Sequence, residues 1–113
     1  MRTLNDYFLT TAIPDVSAAS STFVNVPDGG KIIKVFAHNL ATTTGTAAIT
    51  FEIDGVACTT AAISHIAASS AGKKYTAIPS ALNNVLEGSV IEAITNGGST
   101  NASKMELTIV IRR

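Results

Sequence analysis

Apolar and polar residues alternate with a period of two in several separate stretches of this chain. That period is the signature of strands with one dry face and one wet face. It is cleanest near the C-terminus, in Ser103-Lys-Met-Glu-Leu-Thr-Ile-Val-Ile-Arg112. Met105, Leu107, Ile109 and Ile111 fall on one face; Lys104, Glu106, Thr108 and Arg112 fall on the other, with Val110 the one apolar exception. Residues 46–54 repeat the pattern, with Ile49, Phe51 and Ile53 on one face and Thr50, Glu52 and Asp54 opposite. In 31–39, Ile33, Val35 and Ala37 share a face, and Ile32, Lys34, Phe36 and His38 share the other. Further strands are expected over 22–26, 56–66, 73–78 and 89–96. The Ala-rich part of 56–66 competes as a short helix around 61–68. Leu82, Val85 and Leu86 have the spacing of one helical turn that Gly88 could end.

Turn chemistry separates these stretches. Asp54-Gly55 is a strong hairpin signal, because a type I′ turn needs positive φ at both central residues. Pro27-Asp-Gly-Gly30 and Gly97-Gly-Ser-Thr-Asn101 also read as turns, the latter joining 89–96 and 103–112 as a final hairpin. About seven strands with turns this frequent predict an all-β fold: an antiparallel β-sandwich, jelly-roll-like or immunoglobulin-like. Its expected core is Phe23, Val35, Ile49, Phe51, Ile53, Leu107, Ile109 and Ile111.

Residues 1–20 keep neither period, and Pro14 argues against a regular central strand there. Ser17–Ser21 is a small-residue linker. We therefore divide the chain into an N-terminal arm, 1–20, and a sandwich domain, 21–113. The arm carries Leu4, Tyr7, Phe8, Leu9 and Ile13. Leaving large apolar side chains in water costs about 1.5–3 kcal/mol each, so something should cover them. The expectation is an extended arm that leaves its own sandwich and packs on a neighbour; folding back over its own core is the alternative.

Composition narrows the functional classes. The 113 residues suit one domain, and the formal net charge is 0 with only 14% charged residues. Such a surface dissolves poorly as a free monomer and suits an assembly. It offers no basic excess for nucleic acid or anionic membrane. The apolar residues Ile32, Phe36, Val90, Ile94 and Val110 fall on second faces of their strands, so they are expected at a subunit interface. No apolar run of signal-peptide length opens the chain, which points to synthesis in the cytoplasm.

The search for chemistry returns little. Cys58 is the single cysteine, which excludes an intrachain disulfide. Seven positions along an extended strand separate it from His65 by roughly 23 Å, so the two do not form a nucleophile–base pair. His38 and His65 lack companions at metal spacing. Asp28 and Asp54 sit in turns, while Glu52, Glu92 and Glu106 take outward strand positions. Neither Gly-rich turn opens a helix, so neither is a phosphate loop. With no catalytic residue, metal site or cofactor site in evidence, the expectation is a protein that is not an enzyme. Arg112-Arg113 is the remaining candidate, a basic pair able to fork onto a partner's carboxylates.

The opening Met1-Arg-Thr-Leu-Asn-Asp-Tyr-Phe-Leu-Thr-Thr-Ala-Ile-Pro-Asp15, the segment Val26-Pro-Asp-Gly-Gly-Lys-Ile-Ile-Lys-Val35 and the ending from Glu87 to Arg113 together resemble small structural proteins of tailed bacteriophages, and more narrowly a head decoration (cement) protein. That resemblance implies a β-sandwich that binds the major capsid protein on the outer head surface, often as a homotrimer, with a terminal arm locking neighbouring subunits. It also implies a virion location. Another virion sandwich module (tail, fibre or head fibre) and a carbohydrate-binding module are the alternatives.

Overall fold

The computed structural model describes residues 6–45, 47–60, 62–64 and 71–113, and every regular element in them is a strand. Ten strands follow in order: β1 Asp6–Ile13, β2 Ser20–Asn25, β3 Gly30–Asn39, β4 Ala48–Ile53, β5 Val56–Ala57, β6 Ile63–Ser64, β7 Lys74–Ala77, β8 Asn84–Val85, β9 Val90–Thr95 and β10 Met105–Arg112. One sheet runs β1-β10-β3-β7, with β8 on the same side of β3 as a continuation of β7. The other runs β2-β9-β4-β5, with β6 likewise extending β5 along β4. Every pairing is antiparallel. Counting each short pair as one position, the chain fills eight strand positions, four per sheet, in jelly-roll order.

This topology corrects the connection expected at 97–101. β9 lies between β2 and β4, whereas β10 lies between β1 and β3, so Asn96–Lys104 crosses from one sheet to the other. The turn at Pro27–Gly29 likewise crosses from β2 to β3. Asp54-Gly55 does make the expected tight hairpin, with φ of 49° and 84° as a type I′ turn requires. The crossover at Gly97 is set by contact: a Cβ there would collide with the backbone of Ala18 and Ala19, and its φ is +71°.

The core lies between the sheets and is almost wholly aliphatic. Ile49, Phe51 and Ile53 of β4 meet Val35 and Ala37 of β3, and Met105, Leu107, Ile109 and Ile111 of β10. Phe23 is not among them: it stands 61% exposed. Strand parity explains it, because Phe23 faces away from Val24 and Val26, and Val26 points inward. Ile32 is the converse case, 1% exposed and in the core. A register irregularity pairs Val110 with Lys34 but Ile111 with Ile32, so Ile33 is the extra residue of a β-bulge. The bulge reverses the facing upstream of Lys34, which no simple alternation foretells.

The N-terminal segment is also reassigned. Residues 6–13 do not leave the sandwich; they form the edge strand β1, paired along eight residues with β10. Ile13 and Val16 enter the core, and Tyr7 and Leu9 pack against it. Pro14 does not forbid this, because it follows the last strand residue. The link to β2 is pinned by the Val16 N–H donating to the Ser103 carbonyl (3.0 Å) and the Ser99 N–H donating to the Val16 carbonyl (3.3 Å). Residues 6–19 are thus part of the sandwich, and the boundary at residue 20 is not a domain boundary. Of the long strand expected over 56–66 the described residues form β5 and β6, and the competing helix around 61–68 lies outside the described residues but for 62–64; 79–88 holds the short strand β8 instead of a helical turn.

Candidate functional site

Three surfaces carry the residues of interest. The first is the outer face of the β1-β10-β3-β7 sheet. Register places Phe8, Val110 and Lys34 in one row, and Thr10, Thr108, Phe36 and Thr76 in the next. Asp6, Arg112 and Lys31 form the row at one end; Ala12, Glu106, His38 and Lys74 form the row at the other. Phe8 and Phe36 are exposed, and the Lys34 ammonium lies 5.4 Å from the Phe36 ring centroid. Val110 is nearly covered at 7% exposure, flanked by Phe8 and Lys34. A shallow cavity of about 310 Å³ opens beside Phe36, lined also by His38, Lys74, Tyr75 and Thr76.

The second surface is the outer face of the other sheet. Here Phe23, Glu92 and Glu52 stand in one row, with Val90 and Ile94 half-buried on either side. Two carboxylates directly opposite each other oppose the sheet slightly. They stand on the outer face of the sheet, beside Phe23. Cys58 is half-buried nearby; burial, and then the Glu52 charge, push its thiol pKa up, away from thiolate reactivity. The expected separation of Cys58 from His65 lies outside the described residues. Among the described residues, no group of three or more His, Cys, Asp or Glu side chains could hold a metal ion.

The third surface is the end of the sandwich where β4 turns into β5. Ile53, Asp54, Val56, Leu82, Asn84, Leu86 and Ser89 line an open cavity of about 320 Å³. Val56, Leu82 and Leu86 are all exposed. Leu82 has φ of 54°, a left-handed conformation costly for a residue with a branched side chain. It is held on both sides. The Thr59 N–H donates to the Ala81 carbonyl (2.9 Å), and Ile32 and Asn83 exchange two hydrogen bonds of 2.9 and 2.6 Å. The Leu86 N–H donates to the Ser89 hydroxyl at 3.0 Å. Asp54 accepts from the Val90 N–H at 2.9 Å; that bond, then the Ser89 hydroxyl, hold its carboxyl pKa below the usual range.

The residues expected to act together are thereby dispersed. Of the proposed interface set, Ile32 is in the core, Phe36 and Val110 lie on one outer face, and Val90 and Ile94 lie on the opposite one. Of the proposed arm anchors, Ile13 is core, Tyr7 and Leu9 are half-buried, Phe8 is exposed, and Leu4 lies outside the described residues. The Arg112 guanidinium forks onto Asp6 (2.7 and 2.8 Å), and Arg113 reaches Asp28 (2.9 Å). Both arginines therefore anchor the chain to itself: Arg112 ties β10 to β1, and Arg113 ties the C-terminus to the turn that also accepts the Tyr7 hydroxyl. Sequence reasoning missed the Val56–Leu82–Leu86 surface. Its only signal is the spacing of Leu82, Val85 and Leu86, which suggests one helical turn and says nothing of which side chains are exposed.

No protein-family model matches this sequence, and no curated protein matches it. Solved structures do match the fold. The carbohydrate-binding module CsCBM6-3 from Clostridium stercorarium, solved with cellobiose, is 14% identical over 82% of this chain and 67% of its own, with a TM-score of 0.56. A chain of the acid-stable capsid of Helicobacter pylori bacteriophage KHP30 is 11% identical, over 100% of this chain and 90% of its own, with a TM-score of 0.55. The SPBc2 prophage-derived protein YomS is 10% identical over 97% and 98%, with a TM-score of 0.54. Glycoside hydrolases match only in part: this chain spans 29% of a GH87 α-1,3-glucanase catalytic domain that it resembles. At these identities the likeness establishes the fold, an all-β sandwich module shared by binding modules and phage structural proteins.

Proposed function

We propose that this protein is a non-catalytic structural module of a phage particle, acting as a decoration (cement) protein on the head. The observation that carries the reading is the spread of exposed apolar side chains. Phe8 and Phe36 stand on one outer face, Phe23 on the other, and Val56, Leu82 and Leu86 at one end of a 113-residue body. A binder of one small ligand needs one such patch. A protein fitted between neighbours in a lattice needs contact on several sides. The zero net charge and the sparse charged residues support the same reading, because solubility as a free monomer is then not the governing demand. That the chain matches the KHP30 capsid chain and YomS nearly end to end also supports it.

In this reading the major capsid protein is the partner, the protein is itself oligomeric, and its place is the virion surface. The strand β1 serves its own sandwich, so head binding rests on exposed faces and not on a released arm. The test is to mix purified protein with heads that lack it and sediment them. Saturable co-sedimentation, with heads that then resist heat or loss of divalent cations, is the expected result. Free protein in the supernatant at all concentrations would refute it, and co-sedimentation with tails alone would favour a tail or fibre module.

One observation favours a second reading, saccharide binding. Phe36 borders a cavity that also presents His38, Lys74 and Thr76, an aromatic platform beside polar groups. Binding of soluble oligosaccharides that shifts the amide resonances of β3 and β7, and is lost in Phe36→Ala, would establish it.

A further inference from the structure

The two surfaces richest in exposed apolar side chains differ in the charges around them. The end patch of Val56, Leu82 and Leu86 has acidic neighbours: Asp54 lines it, and Glu87 adjoins Leu86. Among the described residues that line that patch there is no Lys or Arg, and Lys31 stands across from Asn84 at its margin, where the two surfaces meet. The Phe8–Val110–Phe36 strip on the outer face of the β1-β10-β3-β7 sheet is bordered by Lys31, Lys34, Lys74 and Arg112, against Asp6 and Glu106. One carboxylate of that face is already engaged by Arg112 and the other by Lys104, leaving the face basic in balance. Each patch thus has an apolar centre, and their rims have opposite sign. Leu82 adds a separate argument. A leucine kept in a left-handed conformation and pointed into water, by hydrogen bonds on either side, is strain maintained at a surface position. Folding gains nothing from it; an interface anchor does.

We infer that the end patch of one copy docks on the sheet face of the next copy, with Leu82 and Leu86 meeting Phe8 and Phe36, and Glu87 and Asp54 facing Lys34. Two different patches meet, so the contact is heterologous and leaves the pair with one free face and one free end. A heterologous contact repeated from copy to copy closes into a ring where its rotation permits, and the discrete species expected here is such a small ring. This inference rests on the assembly reading for its biological meaning, but it is tested in solution without heads. A ring that ignores heads sinks only the decoration role, and a monomer that binds heads sinks only the ring.

The experiment is light scattering across a micromolar concentration series on the wild type, on Phe8→Glu (face blocked) and on Leu82→Asn/Leu86→Glu (end blocked). Asn tolerates the left-handed backbone at position 82. The wild type should give a discrete species at a small multiple of the 11.6 kDa subunit. Each variant alone should give the single subunit mass and still unfold in one cooperative transition. Mixed in equal amounts, the variants should give twice the subunit mass, because one intact end then meets one intact face and both remaining patches are blocked. A monomeric wild type, a variant that keeps the full wild-type mass, or a mixture that stays monomeric overturns the inference. If a variant melts early, hydrogen exchange on the wild type decides. Protection at 82–86 and at 8–10 should rise together with protein concentration, and concentration-independent exchange at both overturns it.

Discussion

Residues 6–19 and 79–89 have the same sequence signature and opposite fates. Both carry several large apolar residues without a sustained period, both contain proline, and both join strands of different sheets. In the first, Ile13 and Val16 are 1% and 0% exposed. In the second, Leu82 and Leu86 are 61% and 74% exposed. The difference lies in what the backbone does. The first segment finds a strand partner along its length and then a pinned link, which turns Ile13 and Val16 inward and leaves Phe8 on the outer face. The second is tied down by short hydrogen bonds at Ala81, Asn83, Leu86 and Ser89, which fix its leucines outward. Aperiodic apolar sequence therefore marks either closure of the core or an exposed apolar patch, and only the hydrogen-bond accounting separates the two.

The largest effect should come from breaking the first segment. Deleting residues 1–16 removes an edge strand and opens the core over Leu107, Ile109 and Ile111, so the truncated chain should lose its cooperative urea transition. A milder version is Ile13→Ala, expected to cost about 2–5 kcal/mol as a buried large-to-small change. Leu86→Ala, at a solvated position in the second segment, should stay within about 0.5 kcal/mol. Equal costs for the two substitutions, measured by urea denaturation, would erase the contrast.

A smaller effect of opposite sign sharpens it. Leu82→Gly relieves a left-handed conformation worth about 1–2 kcal/mol for an L-residue, so stability should rise by up to about 1 kcal/mol after the entropy of glycine is subtracted. Association should weaken at the same time. A variant that is more stable and still associates fully would show that the strain at Leu82 has no bearing on contact.

The smallest effect is pH dependence, and it touches both segments. The Asp15 carboxyl is held below its ordinary pKa by the Ser17 hydroxyl and then the Ser17 N–H; Asp54 is held low by the Val90 N–H. A depressed folded-state pKa means that stability is fully present above the unfolded carboxylate value, near 4, and is lost as pH falls through the folded value. The melting temperature should thus be flat from neutral pH down to about 5 and decline below about 4. Asp15→Asn should flatten part of that decline, and a curve identical to wild type would remove Asp15 from the account.

Much of the fold was legible in the sequence, for a physical reason. β4 and β10 are central strands with one covered face, so burial writes a period of two into them, and the inward positions Ile49, Phe51, Ile53, Leu107, Ile109 and Ile111 were readable directly. What failed was nonlocal or local in a way alternation does not encode. The bulge at Ile33 reverses the facing of Ile32. Phe23 was expected inside, although parity with Val26 puts it outside. Pro27–Gly30 and Gly97–Asn101 look like hairpin turns because a crossover between sheets uses the same turn residues. The contact surfaces were the least legible. Exposure of Leu82 depends on a positive φ and on partners as distant in sequence as Ile32, and neither leaves a mark in a window of neighbouring residues.

If the exposed apolar surfaces serve assembly on a phage head, electron cryomicroscopy of heads reconstituted with this protein should show added density at one class of lattice position, with the sandwich oriented so that at least one of Phe8, Phe23, Leu82 and Leu86 is buried in contact. Heads indistinguishable from those without the protein, at concentrations well above those that saturate self-association, would contradict it.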